Sequence, residues 1–456
     1  MAFFSFKLFM EKYSKIYVFL QSFIRFYHNK FWYKQIGIRG FDALPEDTPV
    51  IFAPNHQNAL MDATAFVFST TKQVVFLARA DIFNSKITSK IFTFMRILPI
   101  YRMRDGASSL GKNEEIFNKS VKVLENKHPL GLFPEATHWG FRKLRPTMKG
   151  IPRIAFLAEE RNDFHLNTVI IPVGIYYDEY QGFRKNLFMN FGRPIKVSDF
   201  KDTYLANENQ GFLELRKAIE RGMKEVMMHI DTDAYYADVE NIRTIISYRA
   251  CVQQGCDPNK IENLFDTDKK TIAVLDALIA EDEPRFLELK SAADTYRQLL
   301  DKMKIGKWLI PEGGIKPMKL VLQFFAGVVS LPVVFIGLIM HLPIKLLIDL
   351  LVKKIVKDPQ FVRSFRFGLA FFLLPISCYL SLLAASTFIE LHWAIWVSAF
   401  FFMPLTGVAA HEFFQSAIRW CQTIRYRLGL GIAKADQKQA EDLHEFLLQK
   451  VTARFK

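Results

Sequence analysis

His56 and Asp62 stand in the run Pro54-Asn55-His56-Gln57-Asn58-Ala59-Leu60-Met61-Asp62, directly after the apolar stretch Val50–Ala53. At a strand-to-helix turn such a pair can hydrogen bond. The carboxylate then fixes the imidazole tautomer and stabilises its charged form. An imidazole with a pKa of about 6.5 suits a general base acting on a hydroxyl at neutral pH, because an unassisted alcohol is a poor nucleophile. A lone His beside an Asp is about as often a satisfied structural pair, so further residues are needed to decide.

Three more blocks supply them. Ile97-Leu98-Pro99-Ile100-Tyr101-Arg102, with Arg104 close behind, puts a planar guanidinium fork at a strand end, where it can hold phosphate. Leu132-Phe133-Pro134-Glu135-Ala136-Thr137-His138 places a carboxyl at the lip of a sheet, where open α/β sheets bind ligands, and Lys149-Gly150 follow. Ile170-Ile171-Pro172-Val173 reads as a strand end on the same edge.

In this order and spacing the four blocks resemble the glycerolipid acyltransferase family, which includes the bacterial 1-acylglycerol-3-phosphate acyltransferases. The resemblance covers about residues 35–200. It implies that His56 and Asp62 are the catalytic pair, that Arg102 is the basic residue of the second block, and that Phe133-Pro134-Glu135 and Pro172 mark the third and fourth. It further implies Asn55, Arg102, Glu135, Thr137 and Lys149 as substrate-binding positions, and direct acyl transfer with no covalent enzyme intermediate, metal or cofactor. Two departures stand out. Five residues separate His56 from Asp62 where the family usually has four, a spacing similar to fungal glycerol-3-phosphate acyltransferases. The third block has Ala136 and His138 where the family usually has Gly and Arg, leaving Arg142, Arg145 or Lys149 to supply charge there.

The elements that must position these residues are short apolar runs alternating with helical stretches. Val50–Ala53, Val74–Ala78, Ile97–Ile100, Leu130–Phe133, Val169–Val173 and Leu187–Phe191 are the expected strands. Alternation of this kind predicts an α/β fold with a mainly parallel sheet flanked by helices. The acyltransferase domain is placed at 35–200. Residues 1–34 are read as an amphipathic helix on the membrane interface. One stripe carries Lys7, Glu11, Lys15, Ser22 and Arg25, and the opposite one Phe6, Met10, Tyr13, Tyr17, Leu20, Ile24 and Tyr27. The same periodicity would serve a helix packed on its own domain. Residues 201–315 are charged and helical by composition, as a helical insertion, with helices expected over Leu213–His229, Thr271–Ala280 and Phe286–Lys304.

Membrane segments are expected over 316–412. Gly368–Ile389 and Trp393–Ala410 approach the roughly 20 apolar residues that cross a bilayer and read as a hairpin, 368–389 with 393–410. Leu320–Met340 is also long enough. Basic residues flank every block: Lys316 and Lys319, then Lys345, Lys353, Lys354, Lys357, Arg363 and Arg366, then Arg419, Arg425 and Arg427. With all three clusters cytoplasmic, 320–352 has to bend back as a re-entrant pair, at Pro332 or Pro343. Residues 413–456 are left as a cytoplasmic tail.

The totals agree with a lipid setting. Of 456 residues, half are hydrophobic and 44 are Phe, and the formal charge is +14. A basic excess serves nucleic acid, anionic lipid or phosphorylated substrates, and the apolar segments select the lipid readings over nucleic acid. The four cysteines show no zinc spacing and no disulfide framework. His411 and Glu412 lack the second His of a zinc protease helix. The expected setting is the bacterial inner membrane, with the catalytic domain cytoplasmic. The expected partners are the bilayer, a glycerophospholipid precursor, and acyl-CoA or acyl carrier protein as donor. Glycerol-3-phosphate, 1-acylglycerol-3-phosphate and a lyso-aminolipid all remain compatible as acceptor, and a catalytically silent lipid-binding scaffold is the reading from a different class.

Overall fold

In a computed structural model the chain divides into two compact units, residues 1–229 and 230–456. The structure describes residues 15–43, 47–69, 74–83, 86–101, 110–388, 390 and 392–455.

The first unit opens with helix α1 (Lys15–Tyr27) and strand β1 (Tyr33–Arg39). The sheet continues through β2 (Val50–Pro54), β3 (Val75–Arg79), β4 (Ile97–Ile100), β5 (Leu130–Gly131), β6 (Val169–Tyr177), β7 (Lys185–Phe191) and β8 (Ile195–Lys196). Its spatial order is β1-β7-β6-β2-β5-β3-β4, with β8 beside β6. Every pairing is parallel except those of β6 with β7 and β8. Helices α2 (Leu60–Ser69), α3 (Lys86–Phe94), α4 (Leu110–Glu125), α5 (Gly150–Glu160), α6 (Lys201–Ala206) and α7 (Glu208–Val226) complete the unit. The sheet is thus mainly parallel and flanked by helices.

Strand β2 is buried along its whole length, as a strand covered on both faces should be. Ile51 and Ala53 join Val75, Leu77, Leu130, Ile154, Phe156 and Ile170 in one core. Phe52 instead meets Phe66 at 4.9 Å and Phe191 at 5.9 Å between ring centroids. Each such buried side chain stabilises the fold by about 1.5–3 kcal/mol. Part of the Phe load is therefore core and not lipid contact. Pro172 is tolerated inside β6 because the ladder is interrupted there. Pairing with β8 ends at Ile170, pairing with β7 starts at Val173, and the Pro172 carbonyl accepts from Gly192 N at 2.9 Å.

Two readings of this unit change. β1 was not expected; it is an edge strand with three exposed positions, whose pattern is weak. In α1, Tyr17 packs edge-on against Phe94 at 5.4 Å, so the stripe expected to face lipid is partly covered by the domain itself. The exposed aromatic side chains are Phe19 and Phe26, with Phe23 stacked on Phe19. The helix is apolar on two adjoining stripes, and periodicity alone cannot choose between them. The part of the interface helix preceding Lys15 lies outside the described residues.

The second unit contains α8 (Tyr236–Gln253), α9 (Ile261–Glu281), α10 (Glu283–Met303), the single turn α11 (Leu309–Glu312), α12 (Pro317–Ile355), α13 (Val362–Ser386), α14 (Trp393–Leu428) and α15 (Lys434–Thr452). Helices α8, α9, α10 and α15 pack on one another as a bundle. Arg243 pairs with Asp268 between α8 and α9, Lys290 with Asp238 at 2.8 Å between α10 and α8, and His444 with the Ile245 carbonyl at 3.3 Å between α15 and α8. The segment expected as a tail is thus the end of α14 followed by the fourth bundle helix. Its buried Ala440, Leu447, Leu448 and Val451 explain why.

Among the described residues two helices, Pro317–Ile355 and Pro359–Ser386, are long and apolar enough to cross a membrane; the pair Trp393–Ala399 and Phe402–Leu428, bent by 56°, makes a third if counted as one span. Val329, Phe335 and Phe372 on these helices are exposed, as lipid-facing side chains are. α12 runs unbroken through Pro332 and Pro343 in place of the expected return. Neighbouring helices sustain proline inside an apolar helix, which a flanking-charge rule does not register. α14 runs antiparallel to α12. Trp420 Nε1 donates to the Leu320 carbonyl at 3.1 Å, and His341 Nε2 lies 3.1 Å from both the Met403 carbonyl and Thr406 Oγ1. A Cβ on Gly337 would come within 2.4 Å of the Thr406 carbonyl, so glycine sets this close approach. Ser377 on α13 donates to the Met340 carbonyl of α12 at 2.9 Å.

Candidate active site

The sheet order assembles the site. β2 has β5 on one side and β6 on the other, both parallel to it, so the C-terminal ends of all three converge. His56 follows β2, Glu135 follows β5, and Tyr177 closes β6.

Asn55 opens the turn after β2. Its amide donates to the Ile175 carbonyl at 3.1 Å and its Oδ1 accepts the Ile175 N–H at 2.6 Å, with the side chain buried. The turn is therefore fastened to β6. Asn55, expected as a substrate contact, is engaged with backbone instead.

His56 Nδ1 lies 2.9 Å from Asp62 Oδ2, and the two side chains are 16% and 1% exposed. With Nδ1–H donating to the carboxylate, Nε2 is left as the basic nitrogen. The additional residue between them is absorbed at Ala59, whose φ of 43° is left-handed. Met61 N then donates to the Asn58 carbonyl at 2.9 Å and Asp62 N to that of Ala59 at 3.3 Å, starting α2. Asp62 Oδ2 also accepts the N–H groups of Gln57 at 2.8 Å and Asn58 at 2.7 Å. Tyr177 donates its hydroxyl to Oδ1 at 2.9 Å. Four donors thus hold one carboxylate.

The third block lies against this turn. The His56 ring stacks on Phe133 with centroids 4.1 Å apart and 17° between planes. His138 stands edge-on to His56 at 5.6 Å. Trp139 N donates to the His56 carbonyl at 3.0 Å. Glu135 Oε1 accepts the His56 N–H at 2.9 Å, and Oε2 accepts the Arg145 N–H at 3.2 Å. Burial pushes the Glu135 carboxyl up to about 8, against the opposing pull of those two N–H groups and of Arg145; the Asp62 charge adds to the rise. Ala136 follows at φ 56°, a conformation natural to the glycine it replaces. Thr147 ties the far end of the loop to α7 through Glu220, at 2.6 Å.

The remaining expected residues are not all in one place. Thr137 is half-buried in the same loop, while Lys149 is exposed and directly precedes α5. Arg102, with Arg104, lies outside the described residues. Arg142 is buried. It donates to the Tyr177 carbonyl at 2.9 Å and the Asp178 carbonyl at 3.3 Å, and stands 4.8 Å over the Tyr176 ring and 5.0 Å over Tyr180. Its charge is turned into the protein. The Arg145 guanidinium lies 4.5 Å over the Trp139 ring, beside the residue bonded to His56.

Tyr177, Tyr180 and Gln57 were not singled out in the sequence. The Tyr180 hydroxyl donates to Gln57 Oε1 at 2.6 Å, and Asn58 Nδ2 to the Tyr180 carbonyl at 3.3 Å. The signal for Tyr177 was the apolar run of β6 continuing through Ile175-Tyr176-Tyr177 beyond the fourth block.

Residues 35–176 match the Acyltransferase family model, so this part of the chain is an acyltransferase domain and the protein is an acyltransferase. Among solved structures, the chain is similar to the 1-acyl-sn-glycerophosphate (LPA) acyltransferase PlsC from Thermotoga maritima. The identity is 16% and the TM-score 0.34, over 49% of this chain and 86% of that one. No curated protein matches by sequence.

Proposed function

We propose that the protein is a membrane-bound O-acyltransferase of phospholipid biosynthesis. It moves a fatty acyl group from acyl-CoA or acyl carrier protein to a hydroxyl of glycerol-3-phosphate or 1-acylglycerol-3-phosphate, with its catalytic domain on the cytoplasmic side of a bacterial inner membrane. The observation that carries this reading is the 2.9 Å contact of His56 Nδ1 with Asp62 inside the matched acyltransferase residues.

His56 Nε2 takes the proton of the acceptor hydroxyl while its oxygen attacks the thioester carbonyl carbon. The tetrahedral intermediate collapses, the C–S bond breaks, and the imidazolium returns its proton to the departing thiolate. Asp62 holds the ring and the positive charge it gains. Glu135 positions the His56 backbone and the Arg145 loop. Arg145 and Lys149, with Arg102, are the cations that would meet an acceptor phosphate, whereas Arg142 is committed to carbonyls. Long apolar helices in the same chain keep the enzyme where its lipid product is released.

His138 stands where the family usually has Arg, which supports a lyso-aminolipid as the second acceptor reading. The test is acyl transfer by membranes carrying wild type or His56→Ala, offered each acceptor separately with each donor. Activity on one acceptor that disappears with His56 supports the reaction and names the substrate. Equal rates in both proteins would overturn the base mechanism, and no activity on any acceptor would leave the scaffold reading.

A further inference from the structure

We infer that Tyr177 is a positioning residue for the acyl transfer, acting on His56 through Asp62; this rests on the role of His56 as base. The Tyr177 side chain is fully buried at the end of β6, and its hydroxyl lies 2.9 Å from Asp62 Oδ1. The other carboxylate oxygen serves His56 Nδ1 and the N–H groups of Gln57 and Asn58. Tyr177 is the sole hydrogen-bond partner of Oδ1 among the described residues. A carboxylate held at one oxygen can still swing about its Cβ–Cγ bond; held at both, it presents Oδ2 to the imidazole in one orientation.

Tyr177 is itself fixed on every side. Its backbone pairs with Leu187 in the β6–β7 ladder, its carbonyl accepts from Arg142 at 2.9 Å, and its ring packs against Tyr33 and Tyr180. A group on a strand so restrained holds its partner more accurately than one on a loop. Arg142 also links the Tyr177 carbonyl to the loop that carries Glu135, so the end of β6 is joined both to Asp62 and to the loop after β5. Tyr177 lies just beyond the residues matched by the family model, so the family pattern does not supply this hydroxyl.

The test uses the full chain in membranes, with Tyr177→Phe, Asp62→Asn, the double variant and His56→Ala. Tyr177→Phe keeps the ring and removes only the donor; thermal midpoints measured in the same membranes register any loss of folding. Expected are a kcat about tenfold lower and an acceptor KM within about twofold, as for loss of one hydrogen bond to a charged group. The acidic limb of the kcat/KM profile should move to higher pH, because a less satisfied Asp62 holds the imidazolium more strongly. The other charged or titratable groups near His56, namely Glu135, His138, Arg142 and Arg145, are unchanged in this variant. In the Asp62→Asn background the Tyr177 substitution should cost nothing further. Full kcat with an unmoved limb, or additive losses in the double variant, would overturn the inference while His56→Ala remains inactive. An active His56→Ala would instead remove the base reading, and this inference with it.

Discussion

Glu135 Oε1 accepts the backbone N–H of His56 at 2.9 Å across 79 positions of sequence, so the third block sets the backbone of the first. The Glu135 carboxyl stays protonated up to about 8 in the fold but ionises near its ordinary value of 4.5 in the unfolded chain. Its contribution to stability is therefore fully present below about 4.5 and is lost as pH rises through about 8. Thermal midpoints of wild type and Glu135→Gln compared from pH 5 to 9 should diverge in favour of Gln as pH rises. A constant gap would mean that Glu135 ionises normally.

Ala136 sits in the left-handed region at φ 56°, which costs a non-glycine residue about 1–2 kcal/mol. Glycine loses about 0.5–1 kcal/mol of chain entropy. Ala136→Gly should therefore stabilise by about 0.5 kcal/mol, read as a small rise in thermal midpoint; a fall would show that the Ala136 methyl makes a contact worth more than the strain.

Arg142 and Arg145 should separate cleanly. Arg142→Gln leaves two carbonyls short of a donor and should destabilise by about 1–3 kcal/mol. Arg145→Gln should leave the thermal midpoint nearly unchanged but raise KM for a phosphorylated acceptor about tenfold, the loss of one charge contact. If Arg145→Gln affected phosphorylated and unphosphorylated acceptors alike, the phosphate contact would be wrong.

Leu447 is fully buried on α15. Leu447→Ala should cost about 2–5 kcal/mol, as for other core leucines. Protease resistance of the 230–456 unit measures it, and no effect would return the segment to being a free tail.

The His56–Asp62 pair, Glu135 and most strands were legible because each is encoded locally, by residue type at fixed spacing or by a short apolar run. Tyr177 was not, since its role exists only where β6 and β2 lie side by side. Arg142 was one of three candidates to supply the charge of the third block, and the Tyr177 and Asp178 carbonyls give it an inward use instead. The path of α12 through its prolines and the return of α15 were hidden for a related reason. Charge clusters and composition carry no record of which distant helix will be packed against.

The return of α15 has a consequence for topology. α10 comes before the three long apolar helices and α15 after them, yet Tyr296 and His444 meet in one interior. A chain that leaves a folded body and rejoins it must traverse any bilayer an even number of times. Parity therefore rules out complete traversals by all of α12, α13 and α14. Two can be complete, with the third dipping in and leaving by the face it entered. Biosynthesis inherits the same order: α8, α9 and α10 emerge before α15, so the bundle closes only after the three long apolar helices have been made.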